Sequence, residues 1–78
     1  MNMMYVVRRS AVKGRYCLNG IDLTGGDIVA FIHGNCSLTG WVEHDDRRGY
    51  YVVSQDGRRV PLSEVLFARR VGNGRGAG

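Results

Sequence analysis

Apolar residues along this chain fall in short runs, each cut by a turn that contains glycine, and none keeps a helical period beyond a single turn. Short runs bounded by turn signals are the mark of a small all-β domain. "MMYVVRR" (3–9) reads as a first strand and "RYCL" (15–18) as a second. "NGIDLTGGD" (19–27) is a loop with two turn signals, Asn19-Gly20 and Gly25-Gly26. "DIVAFIHG" (27–34), rich in β-branched and aromatic residues, predicts a strong strand. "SLTGWVEH" (37–44) predicts another, with Gly40 as a bulge or bend. "GYYVVS" (49–54) follows, and Asp56-Gly57 is the strongest hairpin signal in the chain, closed by "RRVP" (58–61). Pro61 cannot continue a central strand, and Leu62, Val65 and Leu66 hold helical spacing just long enough for one 3₁₀ turn. Phe67 to Val71 then return to strand. The expectation is an all-β domain of about five to six short antiparallel strands, with one 3₁₀ turn before the last.

Length narrows the organisation. Seventy-eight residues make one domain, near the lower limit for a core that holds without staples. The expected boundaries are 1–71 for the domain and 72–78, "GNGRGAG", for a disordered glycine-rich tail. With 44% apolar residues the rest of the chain is too hydrophobic to be disordered. No apolar run reaches the length of a membrane span, and "MNMMYVVRRS" lacks the long apolar stretch and cleavage site of a signal peptide. A cytoplasmic protein is expected. Cys17 and Cys36 belong to no C-x-x-C pair, and the expectation is two buried or half-buried thiols, with a bridge as the alternative.

Residues 26 to 71 resemble the SH3-like small barrel: Gly26-Asp27 opening a strand, Gly40-Trp41-Val42 in the next, Gly49-Tyr50 opening the third, Asp56-Gly57 at the hairpin. That resemblance implies a barrel and leaves the activity open, since the fold hosts many. Gly26, Asp27, Val29, Gly40, Val42, Gly49, Tyr50, Val52, Ser54, Gly57, Pro61, Leu66 and Arg69 are also loosely similar to the plasmid-borne type II dihydrofolate reductases, tetrameric barrels of about this size. Where that family lines its pore with Gln-Ile-Tyr, this chain has Arg58-Arg59-Val60, so the residues that would touch folate and nicotinamide are absent. The segment "GWVEHDDRRGYYVV" (40–53) resembles small barrel proteins of bacterial plasmids and phages. In size and basic character the chain also looks like the CRISPR inhibitors that phages encode.

Catalytic chemistry finds few candidates. His33 and His44 are the only imidazoles, and His33-x-x-Cys36 has ligand-like spacing with no second pair to complete a metal site. Cys36 with either histidine would make a thiolate pair, yet a structural cysteine is the plainer reading. Ser10, Ser37, Ser54 and Ser63 occupy turn or loop positions. Asp45-Asp46 are paired carboxylates, followed directly by Arg47 and Arg48, which neutralise them. Gly25-Gly26 precede a strand, whereas a phosphate-cradling loop needs a helix. No enzyme, no metal and no cofactor is expected.

Charge points to binding. Eleven basic residues, ten of them arginine, stand against seven acidic ones, for a net +4. A basic surface of guanidinium groups suits nucleic acid or an acidic protein face. Four arginine pairs occur: Arg8-Arg9, Arg47-Arg48, Arg58-Arg59 and Arg69-Arg70. If the first and last strands lie side by side, Arg8, Arg9, Arg69 and Arg70 gather at one edge, as a contact surface or as protection against sheet-to-sheet aggregation. Arg47-Arg48 and Arg58-Arg59 sit at opposite ends of one strand, about 20 Å apart. The loop Asp45, Asp46, Arg47, Arg48 is the second candidate surface. Among aromatics, Trp41 is either a core anchor or an exposed contact, and one of Tyr50 and Tyr51 must face out. The leading expectation is a non-enzymatic binding protein of a phage or mobile element that docks on a host protein or nucleoprotein complex and blocks it sterically. The alternatives are a basic module that binds nucleic acid directly, and a degenerate oligomeric reductase barrel. Either a monomer or a small homo-oligomer suits these readings.

Overall fold

The computed structural model describes residues 3–73, which form nine strands and one 3₁₀ turn with no α-helix among them. In chain order the strands are β1 (Tyr5–Val6), β2 (Arg8–Arg9), β3 (Tyr16–Leu18), β4 (Ile21–Asp22), β5 (Asp27–His33), β6 (Cys36–Asp45), β7 (Gly49–Ser54), β8 (Arg59–Pro61) and β9 (Phe67–Asn73). The 3₁₀ turn, Leu62–Glu64, lies between the last two. All pairings are antiparallel, in a six-stranded sheet of order β1-β9-β5-β6-β7-β8 and a three-stranded sheet of order β2-β3-β4. The all-β architecture with a 3₁₀ turn before the final strand is the one the pattern predicts.

Strand number and closure differ from the expectation. The run "MMYVVRR" is two strands, because Val7 takes the chain from one sheet to the other: its N–H bonds the Leu66 carbonyl at 2.9 Å while Arg8 and Arg9 pair with Cys17 and Tyr16. The expected loop 19–27 holds a further strand, β4. Asn19 and Gly20, at φ 51° and 80°, make the tight two-residue turn that joins it to β3. Neither sheet closes on itself. β1 and β8 are the two edges of the larger sheet, so its hydrogen-bonded ladder does not complete a barrel. The tail expected from residue 72 lies outside the described residues from 74 onward, while Gly72 and Asn73 pair with Ile28 and Asp27 at the end of β9. No helix among the described residues is long and apolar enough to cross a membrane.

Alternation along the strands assigns the faces. Val29, Phe31, Val42, Val52, Val60 and Ala68 point inward from the large sheet and are buried, with Leu62 and Val65 added by the 3₁₀ turn. Leu18 and Leu23 join them and Tyr16 packs alongside, so the small sheet lies over the inner face of the large one. Gly40 is inward too. No register shift occurs there; Gly40 pairs with Val29 on one side and Ser54 on the other. The expected bulge is therefore absent, and the glycine answers a different need: a Cβ at position 40 would stand 2.1 Å from the Val53 carbonyl oxygen. The register shift falls instead between Ile28 and Val29, whose partners are Gly72 and Arg70, leaving Val71 as the extra residue.

Candidate binding face

The arginine edge expected at the chain's two ends does not assemble. β1 and β9 are neighbours, but their antiparallel register matches Tyr5 with Ala68 and Val6 with Phe67. Continued in either direction, it carries Arg8 and Arg9 toward Val65 and Arg69 and Arg70 toward Met4. Four or five residues then separate the pairs along the strand, about 15 Å at the usual rise. Arg8 and Arg9 belong to β2 in the small sheet. Arg70 turns inward and is committed: its Nε and Nη2 lie 3.3 and 3.1 Å from Asp27 Oδ2, and Nη2 also donates to the Asp22 carbonyl at 2.8 Å. Asp27 is buried and takes a further hydrogen bond from the Thr24 N–H at 3.0 Å. This pair anchors the end of β9 to the start of β5, and only Arg69 faces outward.

The Asp45–Arg48 turn is built by its own backbone. Asp45 Oδ1 accepts from the N–H groups of Arg47 and Arg48, at 2.7 and 3.2 Å, which fixes the reversal between β6 and β7. These two hydrogen bonds, Arg47's first, hold the Asp45 carboxyl below the ordinary carboxylate range, with the nearby charges of Arg48 and His44 adding a smaller pull. The Asp56 carboxyl in the next turn is lowered in the same way, chiefly by the Ser54 hydroxyl and then by the Arg58 N–H. Its salt bridge to Arg58 Nε is 3.1 Å long. Asp56 is exposed and Asp45 half-buried at the surface. A depressed folded-state pKa means turn stability that is present above the unfolded pKa and lost as pH falls through the folded one. In an acid titration followed by NMR, the amides of Arg47, Arg48 and Arg58 should move together below the ordinary carboxylate range, ahead of any global unfolding. Amides that stay fixed until the whole protein unfolds would contradict the assignment.

The aromatic alternatives separate cleanly. Tyr50 shares a side with Val52, packs against the core, and has its ring 4.6 Å from that of His44 and 5.5 Å from the Arg15 guanidinium. Tyr51 lies on the opposite, outer side, across from Glu43 and Pro61. Trp41 is also outward and 42% exposed, which rules out the core-anchor reading. Cys17 is half-buried and Cys36 exposed, both as free thiols, so the buried or half-buried expectation holds for Cys17 alone. Cys36 pairs across the hairpin with His33, whose Nε2 lies 3.4 Å from Glu64 Oε1. Among the described residues no cluster of three or more His, Cys, Asp or Glu is placed to hold a metal.

What the sheet does assemble is a continuous outer face. Cross-strand partners share a side, so the registers give four rows. The first is Val6, Phe67, Ile32 and Ser37; the second Arg69, Ala30 and Thr39. The third is Ile28, Trp41, Val53 and Arg59, and the fourth Glu43, Tyr51 and Pro61. Val6 and Phe67 are 45% and 43% exposed, comparable to Trp41. The small sheet lies on the other side. Glu43 is the single carboxylate among them, and among the described residues neither Arg59 nor Arg69 is in an ion pair. Five of the other six acids are engaged elsewhere: Asp22 is 3.9 Å from Arg15, Asp27 holds Arg70, Asp45 and Asp56 hold turns, and Glu64 meets His33.

No protein-family model, curated protein or solved structure matches this chain. The face must therefore speak through its own chemistry. Of its main residues, Trp41, Tyr51 and Arg69 are foreseen by the sequence, whereas Phe67, Arg59, Ile28, Ile32 and Val53 are not. Their signal is present in retrospect as apolar residues on both sides of an alternation, in "DIVAFI" and "YYVV", which predicts a strand with two apolar faces. Arg59 stands outward beside buried Val60.

Proposed function

We propose that this chain is a non-enzymatic binding module that docks through the outer face of its large sheet on a host nucleoprotein machine and blocks it by occlusion, as phage-encoded CRISPR inhibitors do. The observation that carries this reading is the composition of the face. Trp41, Tyr51, Phe67, Arg59 and Arg69 lie together on one sheet, with one glutamate and no lysine. Tryptophan, tyrosine and arginine are the residues that dominate binding energy at interfaces, and lysine and glutamate are depleted there. A solvated sheet face would instead alternate polar side chains outward. Of the two surfaces expected from the arginine pairs, Arg69 contributes to this face and Arg47-Arg48 flank it at the β6–β7 turn, while Arg70 belongs to the scaffold.

The test is cleavage of target DNA by purified RNA-guided nuclease complexes in the presence of the protein. Inhibition at near-stoichiometric amounts is expected, with at least a tenfold loss of potency for Trp41→Ala combined with Phe67→Ala, as two interface anchors of about 1–3 kcal/mol each imply. Full cleavage at large excess by every effector class tried would sink the machine as partner. Undiminished inhibition by the double variant would sink the face.

A further inference from the structure

We infer that the outer face takes single-stranded nucleic acid, with unpaired bases stacked on Trp41, Tyr51 and Phe67 and the backbone held by Arg59 and Arg69. This rests on the docking face proposed above and names what that face touches. Three observations carry it.

The first is the placing of the rings. Trp41 and Tyr51 are diagonal neighbours on β6 and β7, because Trp41 pairs with Val53 and Glu43 with Tyr51. Such diagonals lie about 7–8 Å apart, within reach of each other's aromatic side chains. Phe67 continues the same diagonal on β9, beyond β5, about 16 Å from Trp41 by strand spacing and rise. Every base has a π-face, so the exposed rings of Trp41 and Phe67, with half-buried Tyr51 beside them on the same sheet, suit a strand of any sequence.

The second is charge. Arg69 stands beside the diagonal, next to Phe67 on β9 and across from Ala30, and Arg59 lies at its far side, on the row of Trp41. Both guanidinium groups are without an ion pair among the described residues, while most of the chain's acids are occupied away from the face. Glu43, beside Tyr51, is the one acid present, and a carboxylate there accepts from an exocyclic base amine.

The third is area. Six strands by four rows span about 24 by 20 Å, on the order of 500 Å². A stable protein partner, including a second copy of this chain, needs about 800 Å² per side. An unpaired strand needs only rings and a few charges. A duplex keeps its bases stacked inside and offers none to the rings.

Trp41 is the only tryptophan in the chain, so its emission reports on the face directly. Titrating the intact protein with an oligothymidine of about 15 nucleotides should quench that emission saturably, and a fluorescein label on the oligonucleotide should show rising anisotropy. Affinity should fall about sevenfold between 50 and 200 mM salt, the dependence set by two phosphate contacts on a single strand. Phe67→Ala and Tyr51→Ala should each weaken binding about tenfold while leaving the thermal midpoint unchanged. No quenching and no anisotropy change at 50 mM salt would overturn the inference, and so would equal affinity for duplex of the same sequence. If oligonucleotides fail yet nuclease inhibition still depends on Trp41 and Phe67, the face binds protein, and only this inference falls. If neither assay responds to the face variants, both readings fall.

Discussion

Gly40→Ala should destabilise the protein by about 3 kcal/mol or more, although it adds a single methyl group. The new Cβ would lie 2.1 Å from the Val53 carbonyl oxygen, 2.7 Å from its carbon and 2.8 Å from Ser54 Cα. All three are backbone atoms of β7, so no side chain can rotate out of the way. Either β7 moves off β6 by about an ångström, breaking the pairing on both sides of Val42 and Val52, or β6 tilts and opens the core over Phe31. For a domain of this size the whole stability is about 4–12 kcal/mol. Urea unfolding should show a midpoint lowered by a quarter or more with an unchanged slope. Gly72→Ala is the control: nothing lies within 4 Å of its added Cβ and its φ is not positive, so its effect should stay within about 0.5 kcal/mol. Equal effects at both positions would mean that β-propensity, and not the close approach at Gly40, decides the outcome.

The second large effect is expected at the Asp27–Arg70 pair. Asp27 is 4% exposed, and Arg70 reaches it across the register from β9 while also donating to the Asp22 carbonyl. Removing one partner of a buried pair leaves a charge without its counter-ion, which costs about 3–5 kcal/mol in dry surroundings. Arg70's side chain is 29% exposed, so water screens part of this. Arg70→Met should therefore cost about 2 kcal/mol. Asp27→Asn in the same protein removes the stranded charge and should recover at least 1 kcal/mol, giving a clear coupling in the double-mutant cycle. Additive single effects would show that the two residues stabilise the fold independently.

Much of the architecture was legible because glycine and proline punctuate it. β5 and β7 begin and end where the turn residues put them, and the 3₁₀ turn follows Pro61 as helical spacing required. The break at Val7 left no such mark: "YVVRR" is an unbroken β-forming run, and only the competition between two sheets for its backbone divides it. β4 was hidden for the opposite reason, being two residues long and half polar. The candidate site was less legible. Adjacent arginines look like doubled charge in a sequence, but alternation sends Arg70 to Asp27 and Arg69 to the outer face. The face itself draws on all six strands of the large sheet, and no local pattern records which rows meet across them.

The strand order also sets a sequence of events. β5, β6, β7 and β8 form a meander joined by short turns, each hairpin closing within microseconds in typical cases. β1 and β9 come from opposite ends of the chain, and Asp27 and Arg70 are 43 residues apart, so their pairing carries the large loop-closure entropy. Closure of the chain ends should therefore be the last step of folding and the first of unfolding. In kinetic terms, Gly40→Ala should slow folding, whereas Arg70→Met should mainly speed unfolding. Trp41, Tyr51 and Arg59 would then be in place before the final closure, and Phe67, Arg69 and Val6 would arrive with it. Fraying of the two termini alone would cut the face in half while the meander beneath it stayed folded.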